Sequence, residues 1–207
     1  MFQILSTYFK IIQYQICYYF LGIFAVLDDL KNRDKNKFEI INKQGKVAVI
    51  TGGARGIGLE VVKKLVQCEM HIVIGCRNVK AGQKTIQQHI SSDASIEIYE
   101  LDLKSFTSVK SFAEKVLSNH DQIHILVNNG KLIIELFYLK HRGSITPEEG
   151  SRSVAYACIS PKLEGCGGYY ANCQSAKYLP YADDEETQKK LYDTSMVMIK
   201  HFLKVNE

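Results

Sequence analysis

At 207 residues, with 46% hydrophobic and 23% charged side chains, the chain has ordinary globular composition and the length for one domain with a sizeable core. Its net charge of +4 is modest and unclustered, which excludes a nucleic-acid surface. Six cysteines (17, 68, 76, 158, 166, 173) lack paired spacing and read as reduced, packed thiols rather than a disulfide framework.

Residues 1–30 form an apolar N-terminal segment, and residues 11–27 contain no charge. As a helix that uncharged run reaches about 26 Å, slightly short of a bilayer core. Adding residues 2–9, with Lys10 snorkelling, completes a span. Lys31, Arg33, Lys35, Lys37 and Lys43 follow it, so the remainder is expected on the cytosolic side. A cleaved signal peptide or a buried helix are the alternatives; Asp28 and Asp29, with no small-x-small site, argue against cleavage. Residues 31–45 read as a polar linker.

The organising stretch is residues 46–70, KVAVITGGARGIGLEVVKKLVQCEM. A β-branched run at 47–50 predicts a strand. Thr51, Gly52, Gly53, Ala54, Arg55, Gly56, Ile57 and Gly58 form a glycine-rich turn, and Leu59, Val62, Leu65 and Val66 then repeat on one helical face. Strand, glycine turn and helix together present backbone N–H groups and a helix N-terminus to a phosphate. Glycine is needed because a Cβ would hold a pyrophosphate off the backbone or crowd helix against strand.

The pattern then alternates: a strand over 71–76, a polar helix over 79–90, a strand over 96–101 and an amphipathic helix over 105–119. The last of these carries Val109, Phe112, Val116 and Leu117 on one face. A fourth apolar strand, 123–127, runs into Asn128, Asn129 and Gly130. Such alternation implies a parallel sheet covered on both faces. Further on, Thr146, Pro147 and Glu149 spell a helix start with a capping box, and the helix should end before Pro161. A short strand over 169–173 and a tail helix over 183–204 follow, the latter with Leu191, Met198, Ile199 and Phe202 as a packing face. Cys68-x-x-His71 and His120-x3-His124 could be imagined as zinc spacings, but each lies at the edge of a predicted element, and no metal site is expected.

Thr51-Gly-x-x-x-Gly-x-Gly58, Asp102-Leu103 and Leu126-Val127-Asn128-Asn129-Gly130 resemble the short-chain dehydrogenase/reductases. Residues 70–78, the Thr146-Pro147-Glu148-Glu149-Gly150 block, Leu163-Glu164-Gly165 and Gly167-Gly168-Tyr169 resemble the retinol-dehydrogenase-like branch. The resemblance implies a Rossmann-type doubly wound α/β sheet, incomplete here: strands 1–4 in residues 46–130, then a C-terminal segment, 131–207, of helix, short strand and tail helix. It implies a cofactor site at Thr51, Gly52, Arg55, Gly56, Ile57, Gly58, Arg77, Asn78, Asp102, Leu103, Asn128, Asn129 and Gly130. Asp102 would meet the adenine edge, though a capping or loop aspartate is the alternative, and the two asparagines would brace the central strand. About twenty residues beyond the glycines an NAD enzyme places an acid on the ribose 2′-hydroxyl. Here the slot holds Arg77, with Arg55 a second cation within reach, which favours NADP(H) over NAD(H).

By resemblance the substrate is a lipophilic alcohol or ketone, and the expected location is the endoplasmic reticulum membrane with the domain facing the cytosol. The family's catalytic serine and Tyr-x-x-x-Lys helix are missing. No tyrosine has a lysine four residues later, and the nearest imitation, Tyr138 with Arg142, follows no serine strand. A truncated, catalytically impaired form is therefore expected, with its junction at residues 129–131 and no catalytic residue to name. Loss of strands 5 and 6 should leave strand 4 as an edge, the last strand without a neighbour, and Val127 facing water or a partner. That edge could pair with a second copy or with a full-length relative.

Overall fold

The computed structural model describes residues 12–16, 19–20, 23–24, 27, 31, 40–130, 146–176, 182 and 184–203. Most of the expected anchor, most of the linker and the 131–145 segment after the expected junction lie outside those residues. Among the described residues, no helix is long and apolar enough to cross a membrane.

Seven elements follow in strict alternation: β1 (Val47–Thr51), α1 (Gly56–Gln67), β2 (His71–Cys76), α2 (Val79–His89), β3 (Ile96–Glu100), α3 (Phe106–Asn119) and β4 (Ile125–Asn128). The four strands form one parallel sheet in the order β3-β2-β1-β4. After β4, at the far side of β1, come α4 (Pro147–Ile159), a 3-10 turn (Pro161–Leu163), β5 (Tyr170–Ala171), β6 (Gln174–Ser175) and α5 (Glu185–Leu203). Among the described residues this is the parallel sheet covered on both faces that the alternating pattern predicts, in the doubly wound α/β arrangement that the resemblance implies.

Period-two alternation sorts the strand side chains onto two faces. On one face Ala48, Ile50, Ile72, Ile74 and Val127 pack with Val61, Val62 and Leu65 of α1 and with Ile159 of α4. On the other, Val49, Val73 and Leu101 meet Phe112 and Val116 of α3. Fully burying one such aliphatic side chain contributes about 1.5–3 kcal/mol. The capping box at α4 is present: the Thr146 hydroxyl accepts from the Glu149 N–H at 3.2 Å, and the Glu149 carboxylate accepts from the Thr146 N–H at 3.1 Å.

Five expectations are corrected. Val127 does not face water; it is 6% exposed, within the apolar cluster that joins α1 residues Val61, Val62 and Leu65 with Ile159 of α4. The open position on β4 is its neighbour Leu126, 60% exposed, which lies on the α3 side where it pairs laterally with Val49. The short C-terminal strand has a partner after all. Asn172 and Cys173 both take left-handed conformations (φ 50° and 56°), which closes a two-residue antiparallel hairpin, β5 against β6. Leu117, placed on the buried face of α3, is exposed at the helix end. On α5, Leu191 and Met198 are exposed rather than packed, while the Phe202 side chain lies outside the described residues. Of the cysteines, Cys68 and Cys173 are buried as expected, whereas Cys166 is exposed.

Candidate functional site

Because all four strands of the sheet are parallel, their carboxyl ends open on one side, and four loops meet there: 52–55, 77–78, 101–105 and 129–130. β1 pairs with β2 on one flank and with β4 on the other, so the order in which strands are added reverses beside β1. An open α/β sheet forms its ligand crevice at such a switch point.

The turn between β1 and α1 is held by backbone contacts that exclude side chains. The Gly52 N–H donates to the Gly75 carbonyl at 2.9 Å, tying the turn to the end of β2. Gly52 (φ 69°) and Gly56 (φ 56°) occupy the left-handed region that glycine enters without steric cost. At Gly58 the reason is proximity: a Cβ there would lie 2.3 Å from the Gly52 carbonyl oxygen and 2.5 Å from Asn129 Nδ2. One glycine thus lets α1, the turn and the end of β4 converge. Thr51 closes the other side, its hydroxyl accepting from the Gly130 N–H at 2.8 Å. Gly130 is needed too, since a Cβ there would come within 2.3 Å of Leu103 Cδ1.

The helix start is left open. Arg55 stands at the N-cap in extended conformation with no side-chain cap, and the first turn of α1 contains no acid. Its leading N–H groups therefore lack the partners that a Ser, Asp or capping box supplies elsewhere, as at α2 through Asn78 and at α4 through Thr146. An uncapped N-terminus behind a glycine turn suits an anion, by both its free donors and its dipole. Arg55, Gly56 and Ile57 are exposed around it.

The remaining predicted residues fall on the rim. Arg77 follows β2 directly and is exposed; among the described residues neither it nor Arg55 is paired with a carboxylate. Asn78 is committed to capping α2, its side-chain oxygen accepting from the Ala81 N–H at 3.0 Å. Asp102 follows β3; one carboxylate oxygen accepts from the Lys104 N–H at 3.0 Å, so it is in part a loop-forming aspartate. Leu103 is 39% exposed. Asn128 ends β4 exposed, whereas Asn129 turns its amide toward Gly58.

Two contributors escaped the motif. Gly75 sits mid-run in an apolar strand, and a Cβ there would meet Leu101 Cδ2 at 2.6 Å and the Phe112 ring at 3.1 Å. Gly53 packs against the Ile50 and Val62 methyls, which a Cβ would approach to 2.9 and 3.0 Å. A glycine inside a β-branched run was the available signal for Gly75. Burial pushes the neighbouring Cys76 thiol above its ordinary value, as expected of a packed rather than reactive cysteine. The ring of Tyr156 on α4 stacks edge-on against Tyr170 of the hairpin.

Comparison with known proteins bears on residues that this geometry singles out. The sequence model of the short chain dehydrogenase family matches residues 46–141, running on past Gly130. A polyprenol dehydrogenase of Danio rerio is 33% identical over 119 residues, 56% of this chain and 36% of that protein. Retinol dehydrogenase 12 of Bos taurus is 35% identical over 92 residues, 44% of this chain and 29% of that protein. The chain thus spans about a third of the length of these relatives. Among solved structures, the Pseudomonas aeruginosa RhlG/NADP active-site complex is similar at a TM-score of 0.41 and 26% identity, over 45% of this chain and 37% of that one.

Proposed function

On the premise that this chain belongs to the short-chain dehydrogenase family through residues 46–141, we propose that it binds NADP(H) across the carboxyl ends of β1–β4 without supporting efficient turnover. The observation that carries the proposal is the convergence at Gly58, where helix, glycine turn and Asn129 approach too closely for any side chain, at a helix start that has no side-chain cap. The pyrophosphate would lie on the 52–58 turn at the start of α1. Arg77, reinforced by Arg55, would hold the 2′-phosphate, a group that a carboxylate in this slot would repel. Asp102 and Leu103 would flank the adenine, and Asn128, Asn129 and Gly130 would line the approach to the nicotinamide.

When bound, the cofactor supplies a hydride donor or acceptor. What the protein must add is a group that moves the accompanying proton, and general acid–base catalysis is worth about 10²–10⁴ in rate. The absence of a Tyr-x-x-x-Lys pair from the sequence supports an impaired form within an oxidoreductase lineage that acts on lipophilic alcohols or ketones. The uncharged run at 11–27 and the basic residues after it support attachment to the endoplasmic reticulum membrane, with the domain on the cytosolic side.

Fluorescence titration of the full chain with NADPH and NADH tests the cofactor assignment. Arg77→Glu should weaken NADPH by about 10- to 150-fold, corresponding to 1.5–3 kcal/mol for a charged hydrogen-bonded pair, and leave NADH nearly unchanged. Equal NADPH affinity in the variant would reject the role given to Arg77. NADPH oxidation with a panel of long-chain carbonyls should stay at background; clear turnover would reject the impaired reading. A second reading, a non-catalytic interaction product, draws support from the edge position of β4 among the described residues and from exposed Leu126. Concentration-dependent association that Leu126→Lys abolishes would favour it.

A further inference from the structure

At the amino ends of the same strands, opposite the glycine turn, the register of the sheet assembles a second polar group. His71 opens β2, and Glu97 of β3 pairs laterally with Val73, so parallel pairing puts both side chains on the α3 face. α3 runs back along that face and ends with His120 at its C-cap, above them. The His71 and His120 rings lie 4.9 Å apart between centroids. His71 Nε2 is 3.4 Å from one Glu97 oxygen and His120 Nε2 is 3.5 Å from the other. Yet neither nitrogen has a hydrogen-bond partner, and both atoms are buried.

We propose that His71, Glu97 and His120 form a binding site for a divalent transition-metal ion, Zn²⁺ foremost, that clasps β2, β3 and the end of α3. The donor geometry fits. A tetrahedral zinc at about 2.0–2.1 Å from its ligands holds neighbouring donor atoms about 3.3–3.4 Å apart. Each imidazole nitrogen lies close to that edge length from a Glu97 oxygen, His71 at 3.4 Å from one and His120 at 3.5 Å from the other, and with one donor atom from each residue all three lie within 4.8 Å of one another, so ligation through a single oxygen draws the farther imidazole inward. Two imidazoles and a carboxylate are a borderline donor set that suits zinc over calcium or magnesium. Three protein ligands leave a fourth position for water.

The outer contacts orient the ligands as a metal site requires. His71 Nδ1 lies 2.6 Å from Ser95 Oγ; with Nδ1–H donating to that hydroxyl, Nε2 turns its lone pair toward Glu97. Glu97 accepts from the Tyr99 hydroxyl, which in turn accepts from Asn119 Nδ2 at 2.9 Å. Burial lowers the His71 pKa, keeping available the neutral imidazole that binds metal. The linear spacings in the sequence point elsewhere and fail. His124 Nδ1 is occupied, accepting from the Val47 N–H at 3.0 Å, and Cys68 is buried in the α1 core.

The full chain, stripped with chelator and titrated with Co²⁺ and then Zn²⁺, tests the site. One Co²⁺ per chain should bind with the visible bands of four-coordinate nitrogen and oxygen ligation, Zn²⁺ should displace it, and the thermal midpoint should rise. His120→Ala should weaken binding by at least about 100-fold, the upper end of what outer-shell changes alone cost. Glu97→Gln keeps a partner for Tyr99 and should also weaken binding, so the test survives if the histidine variant misfolds. Exposed His89→Ala should have no effect. Absence of Co²⁺ uptake, affinity unchanged in Glu97→Gln, or thiolate charge-transfer absorption placing the ion on cysteine would overturn the proposal.

Discussion

Replacing Gly58 by alanine separates the two roles a glycine can have at the third position of a helix. If Gly58 were only a helix residue, alanine would stabilise α1 by about 0.8–1.0 kcal/mol, the difference in intrinsic propensity. The structure predicts the opposite sign. The new methyl would sit 2.3 Å from the Gly52 carbonyl oxygen and 3.0 Å from the Gly52 carbonyl carbon, both backbone atoms that cannot swing aside. It would also meet Asn129 Nδ2 at 2.5 Å. Relieving an overpacked contact costs about 1–3 kcal/mol, and a clash with backbone belongs at the upper end. Subtracting the propensity gain leaves a net loss of about 1–2 kcal/mol. Relief also moves α1 away from the turn, so NADPH affinity should fall at least about tenfold, equivalent to 1.4 kcal/mol. Urea denaturation and NADPH fluorescence titration on the same preparations read both effects. For the denaturation readout Gly56→Ala is the internal control: φ is 56° but no protein atom lies within 4 Å of its Cβ, so its stability should fall only by a left-handed backbone cost of about 1–2 kcal/mol. A Gly58→Ala protein that is as stable as the parent, and binds NADPH equally well, would refute the close-approach argument.

Further outcomes follow from the packing. Val127→Ala removes two buried methylene equivalents and should cost about 1.6 kcal/mol in urea denaturation, at about 0.8 kcal/mol each. Leu126→Ser on the adjacent, 60% exposed position should shift stability by less than about 0.5 kcal/mol; reversal of that order would mean that the apolar cluster does not bury the Val127 face of β4 as described. Burial pushes the Cys158 thiol up to about 11, so at pH 8 only about one in a thousand is thiolate. Iodoacetamide at pH 8 should therefore modify exposed Cys166 first, with Cys158 labelling rising as pH approaches 11 in the folded chain; early Cys158 labelling would contradict its burial.

The sheet was legible because the strands from 47 to 128 are short apolar or alternating runs rich in valine and isoleucine between amphipathic or polar helices, and the turn after β1 carries its own glycine chemistry. The start of β4 was not, because at His124 a side-chain nitrogen takes the Val47 N–H and the strand begins one residue later. Burial of Val127 depended on how helices from both sides of it in the sequence pack into one cluster, which hydrophobic periodicity does not encode. The β5–β6 hairpin was hidden because Asn172 and Cys173 include no glycine to announce two left-handed residues. Within the site, Thr51, Gly52, Gly58, Asn129 and Gly130 meet as the glycine pattern implies, whereas the commitment of Asn78 to a cap needed coordinates. His71, Glu97 and His120 are far apart in sequence; only parallel register and the return of α3 bring them together.

Amide hydrogen exchange on the full chain, with and without NADPH, addresses the central claim most directly. Binding across the strand ends predicts added protection at residues 52–58, 77–78, 102–103 and 128–130, with little change in the β5–β6 hairpin. Saturating NADPH that leaves the 52–58 amides exchanging at their unliganded rate would contradict the account.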